Sequence, residues 1–126
     1  MASNLGILAI WNNCAPGHED EYEHWYQTEH LPERLAIPGF LRGRRYETLD
    51  VGPRYFTYYE TASPAVLGSA AYLERGNNPT PATTRIMTGP FKDMNRTVCR
   101  QVVRSGDMRG AVAATVGSGA MVPCPA

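Results

Sequence analysis

Residues 22–32 read YEHWYQTEHLP and place aromatic rings, carboxylates and an imidazole within about three helical turns. On a helical wheel at about 100° per residue, one side collects Tyr22, Trp25, Tyr26 and Glu29. His30 lies at the edge of this stripe, one turn after Tyr26, whereas His24 points the opposite way. Such a stripe docks a helix on a sheet, and its polar members predict that the helix also forms the wall of a polar pocket.

The flanking segments predict where this helix begins and ends. Residues 5–11 are apolar on both faces and predict a first strand that is covered on both sides. Three consecutive acids at 19–21 favour a helix start near His18, because they lie at the positive end of the helix dipole. Pro32 lacks a backbone donor and should kink or end the helix.

The remaining elements alternate in a regular order. Residues 40–48 and 54–61 predict two strands, and the Gly52-Pro53 turn between them predicts a hairpin. Ser63-Pro64 favours the start of a second helix that runs to about residue 74. A short third helix is predicted over 80–88 and a fourth strand over 97–103.

This order, β-α-β-β-α-β, predicts an α+β ferredoxin-like domain over residues 1–106 with a four-stranded antiparallel sheet. Helices cover one face of such a sheet, yet the strands here have no clean polar face. We therefore expect two sheets to pair face to face in a symmetric homodimer. Residues 107–126 form a C-terminal extension that could add a strand over 111–116 before a flexible tail.

Composition excludes several classes of partner. The 126 residues include 12 basic and 12 acidic side chains with no basic stripe, so we expect no nucleic-acid and no membrane partner. The first apolar run is too short for a signal or transmembrane segment, which predicts a cytoplasmic protein. The three cysteines include no close pair, so neither a disulfide framework nor a zinc site is expected. Cys14 is interpreted as a reactive loop residue and Cys99 as a core residue.

Residues 22–35, followed by Ile37-Pro38-Gly39-Phe40 and Arg44-Arg45-Tyr46-Glu47, resemble the dimeric α/β-barrel superfamily. The likeness spans residues 5–103 and is greatest to the EthD-like and stress-responsive branches. It implies two ferredoxin-like subunits whose sheets pack into one barrel, with a pocket in each subunit between sheet and helices. Members include cofactor-free monooxygenases, isomerases, polyketide cyclases and dehydratases, as well as haem-binding and uncharacterised proteins.

His30 and Tyr26 are the candidate catalytic residues. A histidine titrates near neutral pH and can accept or donate a proton, and a tyrosine one turn earlier could orient it or bind a substrate oxygen. The alternative is a histidine near a helix C-terminus that is held by the dipole and the last carbonyls.

A second group of residues is expected to contact the substrate: Trp25, Trp11, Glu29, Arg45 and Tyr59. Glu29 lies inside the apolar stripe, so it must be paired or have a raised pKa. A structural ion pair with Arg44 or Arg45 is preferred over a general-acid role. Arginines on the strands could also bind an anionic substrate, with ordinary ion pairs as the default interpretation.

The leading hypothesis is a cofactor-independent enzyme that transfers a proton on a cyclic or aromatic carbonyl compound. Isomerase, cyclase, dehydratase and monooxygenase chemistry all remain open. The alternatives are a non-catalytic, stress-related protein that binds a small molecule, and a haem-binding protein with His30 as axial ligand. No metal site is expected, since His24 and His30 do not share a helix face.

Overall fold

The computed structural model describes residues 4–103, and the predicted C-terminal extension and its extra strand lie outside this range. The four strands are β1 (Gly6–Cys14), β2 (Phe40–Glu47), β3 (Tyr55–Thr61) and β4 (Phe91–Arg100). The helices are α1 (Glu19–Trp25), α2 (Leu31–Leu35), α3 (Ala70–Asn77) and α4 (Pro81–Thr88). A π-helical turn, Tyr26–His30, joins α1 to α2, and a 3₁₀ turn, Pro64–Gly68, precedes α3.

The strands form one antiparallel sheet in the order β2-β3-β1-β4, which confirms the predicted ferredoxin-like βαββαβ arrangement. The two central strands, β1 and β3, pair with Leu8 opposite Tyr59. On its other side Leu8 lies opposite Val98 of β4. The β1–β3 pair therefore forms the centre of the sheet.

The prediction for β4 was wrong at its start, because the strand begins at Phe91 and not at residue 97. A register shift between Trp11 and Asn13 of β1 allows the polar start of β4 to remain paired with β1, with Phe91 opposite Cys14. Asp93 adopts the left-handed conformation there (φ 55°), which an aspartate tolerates better than most residues. The polar residues around this bulge hide the alternation that would otherwise have marked a strand.

The cysteine interpretations were also wrong. Because β1 continues to residue 14, Cys14 is a buried strand residue. Burial makes the largest contribution to raising the pKa of its thiol. Cys99 is exposed on β4. Neither position follows from the apolar runs alone.

The first helix does not end at Pro32 but passes through it. Leu31 donates its N–H to the carbonyl of Tyr26, five residues back, which closes the wider π turn. Pro32 has no N–H to offer the ordinary bond to the carbonyl four residues earlier, so the widened turn accommodates it. The chain then continues as α2 to Leu35.

The predicted second helix is divided into two parts. The 3₁₀ turn ends before Ser69, which is extended and starts α3 as its N-cap, with its hydroxyl accepting from the N–H of Tyr72. The third predicted helix is confirmed as α4, capped in the same way by Thr80.

The core lies between the helices and one face of the sheet. It contains aromatic residues of α1 and the π turn and the inward residues of the strands, among them Leu8, Ile10, Tyr22, Trp25, Tyr26, Tyr55, Tyr59, Ile86 and Phe91. None of the helices in residues 4–103 has the length and apolar character that crossing a membrane requires.

The opposite sheet face carries an aromatic ladder, which we define as Trp11, Phe56, Tyr46 and Tyr58. The centroids of Trp11 and Phe56 are 5.0 Å apart, and Tyr46 stacks on Phe56 at 6.2 Å. Within residues 4–103 the helices supply their buried side chains to the other face. An apolar face of this kind is typical of a sheet that packs against a partner.

Candidate functional site

His30 lies inside the molecule at the end of the π turn, with only 6% of its surface exposed. Its ring stacks on Trp25, with centroids 4.4 Å apart and planes tilted by 23°. Tyr26 meets it edge-on at 5.1 Å. The imidazole Nδ1 is buried and makes no hydrogen bond among the residues described. A buried ring nitrogen without a partner is uncommon and marks the position as a functional candidate.

The environment of His30 favours its neutral form. Burial, followed by the charges of Arg34 and Arg45, lowers the pKa of His30 from 6.5 to about 3. The ring is therefore uncharged at neutral pH, and it is not held as a cation by the helix dipole. A neutral imidazole retains a lone pair that can accept a proton.

Tyr26 and Tyr59 bring two phenol groups to the same place. Both side chains are fully buried, and neither hydroxyl completes a hydrogen bond of ordinary geometry within residues 4–103. The pKa of Tyr59 is raised, first by burial and then by the charge and hydrogen-bonding capacity of Tyr26. Gly43 makes room for this ring, since a Cβ there would lie 3.0 Å from Tyr59 Cδ1 and from Leu31 Cδ1. The raised pKa keeps Tyr59 protonated at neutral pH, and a phenol hydroxyl can donate a hydrogen bond.

Arg45 covers the outer side of the cluster. Its guanidinium lies 3.8 Å from the centroid of the Tyr26 ring, a cation–π contact. It also bonds Glu23 at 2.6 and 2.7 Å and donates to the hydroxyl of Tyr22 at 3.1 Å. The positive charge of Arg45 is therefore already neutralised by a carboxylate.

Arg34 belongs to the same site, although sequence reasoning missed it. Its charge acts on His30, and its Nη1 atom is buried without a hydrogen-bond partner in the described chain. The guanidinium lies over the Tyr72 ring at 5.9 Å. The spacing Tyr26, His30, Arg34 repeats every four residues along one helix face and could have revealed it. We call Tyr26, His30, Arg34 and Tyr59 the buried polar cluster.

The expectation that Glu29 pairs with Arg44 or Arg45 was wrong. Glu29 accepts hydrogen bonds from the hydroxyls of Thr80 at 2.6 Å and Thr83 at 2.9 Å. The hydrogen bond from the Thr80 hydroxyl makes the largest contribution to lowering the pKa of Glu29. The reason is geometric, because the carboxylate meets the start of α4. Arg45 instead pairs with Glu23, a glutamate of α1 that the sequence analysis did not single out.

Trp25 connects this contact to the cluster. Its indole Nε1 donates to the hydroxyl of Thr83 at 3.0 Å while its ring faces His30. Trp11, in contrast, lies in the aromatic ladder on the other sheet face. Most of the predicted site residues therefore lie together in the structure: Tyr26, Trp25, His30, Arg45 and Tyr59. Trp11 does not join them, and the carboxylate of Glu29 is bonded to α4 instead.

A cleft of about 340 Å³ opens on the surface beside the cluster. Its lining includes two tyrosines and the charged residues Glu19, Asp20, Glu23, Glu47, Arg45 and Arg54. Arg54 is held there by Glu47 at 2.8 Å and Glu19 at 3.1 Å. Among the predicted site residues Arg45 alone lines this cleft. Since Arg45 also covers Tyr26, it forms the wall between the cleft and the buried polar cluster.

Metal binding has no support in residues 4–103, where no group of three or more histidine, cysteine, aspartate or glutamate side chains could hold an ion. The polar atoms without partners in the cluster are an imidazole nitrogen, two phenol oxygens and a guanidinium nitrogen. This donor set suits an organic oxygen compound better than a cation.

Comparison with solved structures finds the same fold in several proteins, although no family profile and no curated protein matches the chain. SnoaB, a cofactor-independent oxygenase from Streptomyces nogalater, is 10% identical with a TM-score of 0.54, over 86% of this chain and 100% of that one. An EthD family protein from Bacillus halodurans is 8% identical with a TM-score of 0.53, over 78% and 98%.

A dimeric ferredoxin-like protein from an uncultured marine organism is 17% identical with a TM-score of 0.53, over 86% of this chain and 95% of that one. At these identities the likeness concerns the fold. With its four antiparallel strands and helices on one face, this chain has a ferredoxin-like fold, which these solved proteins share.

Proposed function

We propose that the protein is a cofactor-independent enzyme that transfers a proton on a cyclic or aromatic carbonyl compound. His30 is the base, and Tyr26 binds the carbonyl oxygen. The observation that carries this proposal is the pairing of a neutral, buried imidazole with a buried phenol beside it, each with a polar atom that lacks a partner in residues 4–103. Buried polar side chains without partners can form hydrogen bonds to a ligand without first breaking others.

The shared chemical step is removal of a proton from the carbon next to the carbonyl. The imidazole lone pair of His30 takes the proton, and the C–H electrons move into the C–C bond while the carbonyl oxygen becomes an enolate. Tyr26 stabilises the developing charge by donating a hydrogen bond. Returning the proton to another atom gives isomerisation, and loss of a β-hydroxyl as water, with the proton supplied by His30, gives dehydration. Attack of the enolate carbon on a second carbonyl carbon gives cyclisation, with the new alkoxide taking the proton from His30. Reaction of the enolate carbon with molecular oxygen, the oxidant, gives a hydroperoxide that loses water to form the oxygenated product.

The fold supports this class of chemistry. SnoaB, which shares the fold, is a cofactor-independent oxygenase. Trp25 and Tyr26 would hold a ring and exclude water. The residue roles rest on the geometry of this chain.

The test is deuterium exchange at the acidic carbons of a panel of cyclic diketones and phenols, followed by NMR in D₂O. The assay needs no knowledge of the complete reaction. We expect H30Q to lower the exchange rate of an active compound by about 100-fold or more, the usual contribution of a general base. The matched control is H24Q, whose histidine is exposed on the same helix and should leave the rate unchanged. Full exchange by a folded H30Q protein would refute the proposal.

The binding-only and haem-binding alternatives stay predictions. A ligand that raises the melting temperature without exchanging deuterium would favour the first. A Soret band on adding haem that is lost in H30Q would favour the second.

The proposed quaternary structure is a homodimer in which two aromatic ladders face each other. A dimeric neighbour with the same fold and the apolar character of this face support it. Closure of the two sheets would form the barrel that the sequence resemblance implies.

A further inference from the structure

Arg34 is a half-buried arginine whose guanidinium pairs with no carboxylate in residues 4–103. Its Nη1 atom is buried and has no hydrogen-bond partner, and no ion pair joins Arg34 to a carboxylate in residues 4–103. Glu33, next to it in sequence, is paired with Arg75 at 3.2 Å. A buried guanidinium N–H without an acceptor is unfavourable, so this position is suited to receive an anionic oxygen.

The other free donors of the buried polar cluster point to the same kind of ligand. Tyr26 and Tyr59 are fully buried phenols whose hydroxyls lack an acceptor of ordinary geometry in the described chain. Arg34 is near enough for its charge to act on Tyr59 and on His30. Arg45 does not add a second unpaired positive charge, because Glu23 already neutralises it. The cluster thus offers three hydrogen-bond donors and one net positive charge.

We propose that Arg34 and Tyr59 form a binding site for a single anionic oxygen group of the substrate, a carboxylate. This inference rests on the proposed function and names the substrate class that the same site would take. The guanidinium would supply the charge and Tyr59 would donate a hydrogen bond to the carboxylate, which leaves the Tyr26 hydroxyl for the carbonyl oxygen.

Binding an anion there also affects His30. Burial, and after it the charges of Arg34 and Arg45, lower the pKa of His30 and leave it a weak base in the free protein. A substrate anion beside Arg34 offsets that charge and makes the imidazolium less costly. The substrate would therefore strengthen the base that acts on it, and a neutral analogue would not.

Access would be through the surface cleft. Arg45 lines this cleft and also covers Tyr26, so displacement of its side chain joins the cleft to the cluster. The ion pair between Arg45 and Glu23 holds the wall closed in this structure.

The experiment is calorimetric titration of the full chain with benzoate and with benzamide, at fixed ionic strength and pH 7. The two probes share shape but differ in charge. We expect benzoate to bind at millimolar concentration or below and benzamide at least tenfold more weakly. R34Q should weaken benzoate binding at least tenfold, consistent with loss of a charge-assisted bond, whereas R34K should retain part of the affinity because it keeps the charge.

The matched control is R44Q, since Arg44 lies opposite Tyr58 on the other face of the sheet and should not affect binding. The anion site is refuted if benzamide binds as tightly as benzoate, if R34Q leaves the affinity unchanged, or if R44Q weakens it equally. Absence of benzoate binding at 10 mM in the unmodified chain also refutes it.

H30Q separates the two proposals, because it should abolish deuterium exchange while retaining benzoate binding. Binding through Arg34 without any dependence of exchange on His30 would leave the anion site and refute the enzyme. Deuterium exchange that depends on His30 but not on Arg34 would support the enzyme and refute the anion site.

Discussion

Two tyrosines one turn apart on the first helix show the difference between a structural and a functional hydroxyl. The oxygen of Tyr22 accepts from Asn12 Nδ2 at 2.8 Å and from Arg45 at 3.1 Å. Tyr26 is equally buried, but its hydroxyl makes no bond of ordinary geometry within residues 4–103. A polar group that costs stability in this way is expected where ligand binding compensates for it.

This difference predicts opposite effects of one chemical change. Y26F removes a hydroxyl that makes no hydrogen bond of ordinary geometry in residues 4–103, so the free energy of unfolding should stay within about 0.5 kcal/mol or rise, while deuterium exchange is lost. Y22F leaves an asparagine donor and an arginine donor without their acceptor and should cost about 1–3 kcal/mol. Urea denaturation measures both. A Y26F protein as destabilised as Y22F would show that the Tyr26 hydroxyl is a structural group.

At the scale of elements, the contact between the first helix and α4 fixes the orientation of Trp25 behind His30. Thr83 of α4 accepts from the Trp25 indole at 3.0 Å and donates to Glu29 at 2.9 Å. Thr80 caps α4 and donates to the same carboxylate. One buried threonine therefore joins the capped end of α4 to the ring on which the imidazole stacks.

We expect T83V, which preserves the shape of the side chain, to destabilise the protein by about 1–3 kcal/mol because the indole N–H loses its acceptor. The control is T84V, since Thr84 is the exposed neighbour on α4. Thermal unfolding provides the comparison, and the fluorescence of Trp25 should change only in T83V. Equal stability of the two variants would show that this connection does not hold the helices together.

Sequence patterns predicted the elements well because periodicity reports burial. Residues 54–61 were predicted to form a strand without a clean polar face, and in β3 the residues of both faces are largely buried. The stripe on the first helix likewise placed Tyr26 and His30 inside. Pro32 was expected to kink or end the helix, but a π turn, which no single-residue rule predicts, accommodates it and the helix continues to Leu35.

The partners of the site residues were harder to predict than their burial. Glu23 and Glu29 lie on the same helix, and only the register of β2 and the position of α4 decide which one meets Arg45. Trp11 looked like a pocket residue from its neighbours in sequence, but strand alternation places it on the far face. These are consequences of tertiary geometry, which spacing along one chain does not encode.

At the scale of the whole molecule, the aromatic ladder predicts association. Phe56 lies at its centre, in contact with Trp11 at 5.0 Å and with Tyr58 at 6.1 Å. We expect the protein to have twice its chain mass of 13.9 kDa at micromolar concentration, and F56R to shift it to the monomer because a charge would be buried between the sheets.

The control is L73R on α3, where the leucine is 49% exposed on the helical side and should leave the dimer intact. Light scattering coupled to size exclusion measures the mass, and circular dichroism checks the fold. A monomeric unmodified chain would overturn the proposed pairing of sheets.

The protonation state of His30 links the site to the stability of the whole molecule. The pKa of this ring falls from 6.5 to about 3 on folding, so the unfolded chain binds more protons between these pH values. The contribution of the neutral ring is fully present above about pH 6.5 and is lost as the pH falls toward 3, with a slope that approaches 1.4 kcal/mol per pH unit. H30Q should lack this part of the pH dependence.

The most direct measurement is a titration of the imidazole nitrogens of His30 by NMR in the ¹⁵N-labelled full chain, assigned by comparison with H30Q. We expect the ring to remain neutral from pH 8 down to about 4.5 and to gain a proton only near its lowered pKa of about 3. Binding of benzoate should move that pKa upward. A ring that titrates near 6.5 in the free protein and does not respond to the anion would contradict a buried imidazole poised to accept a proton.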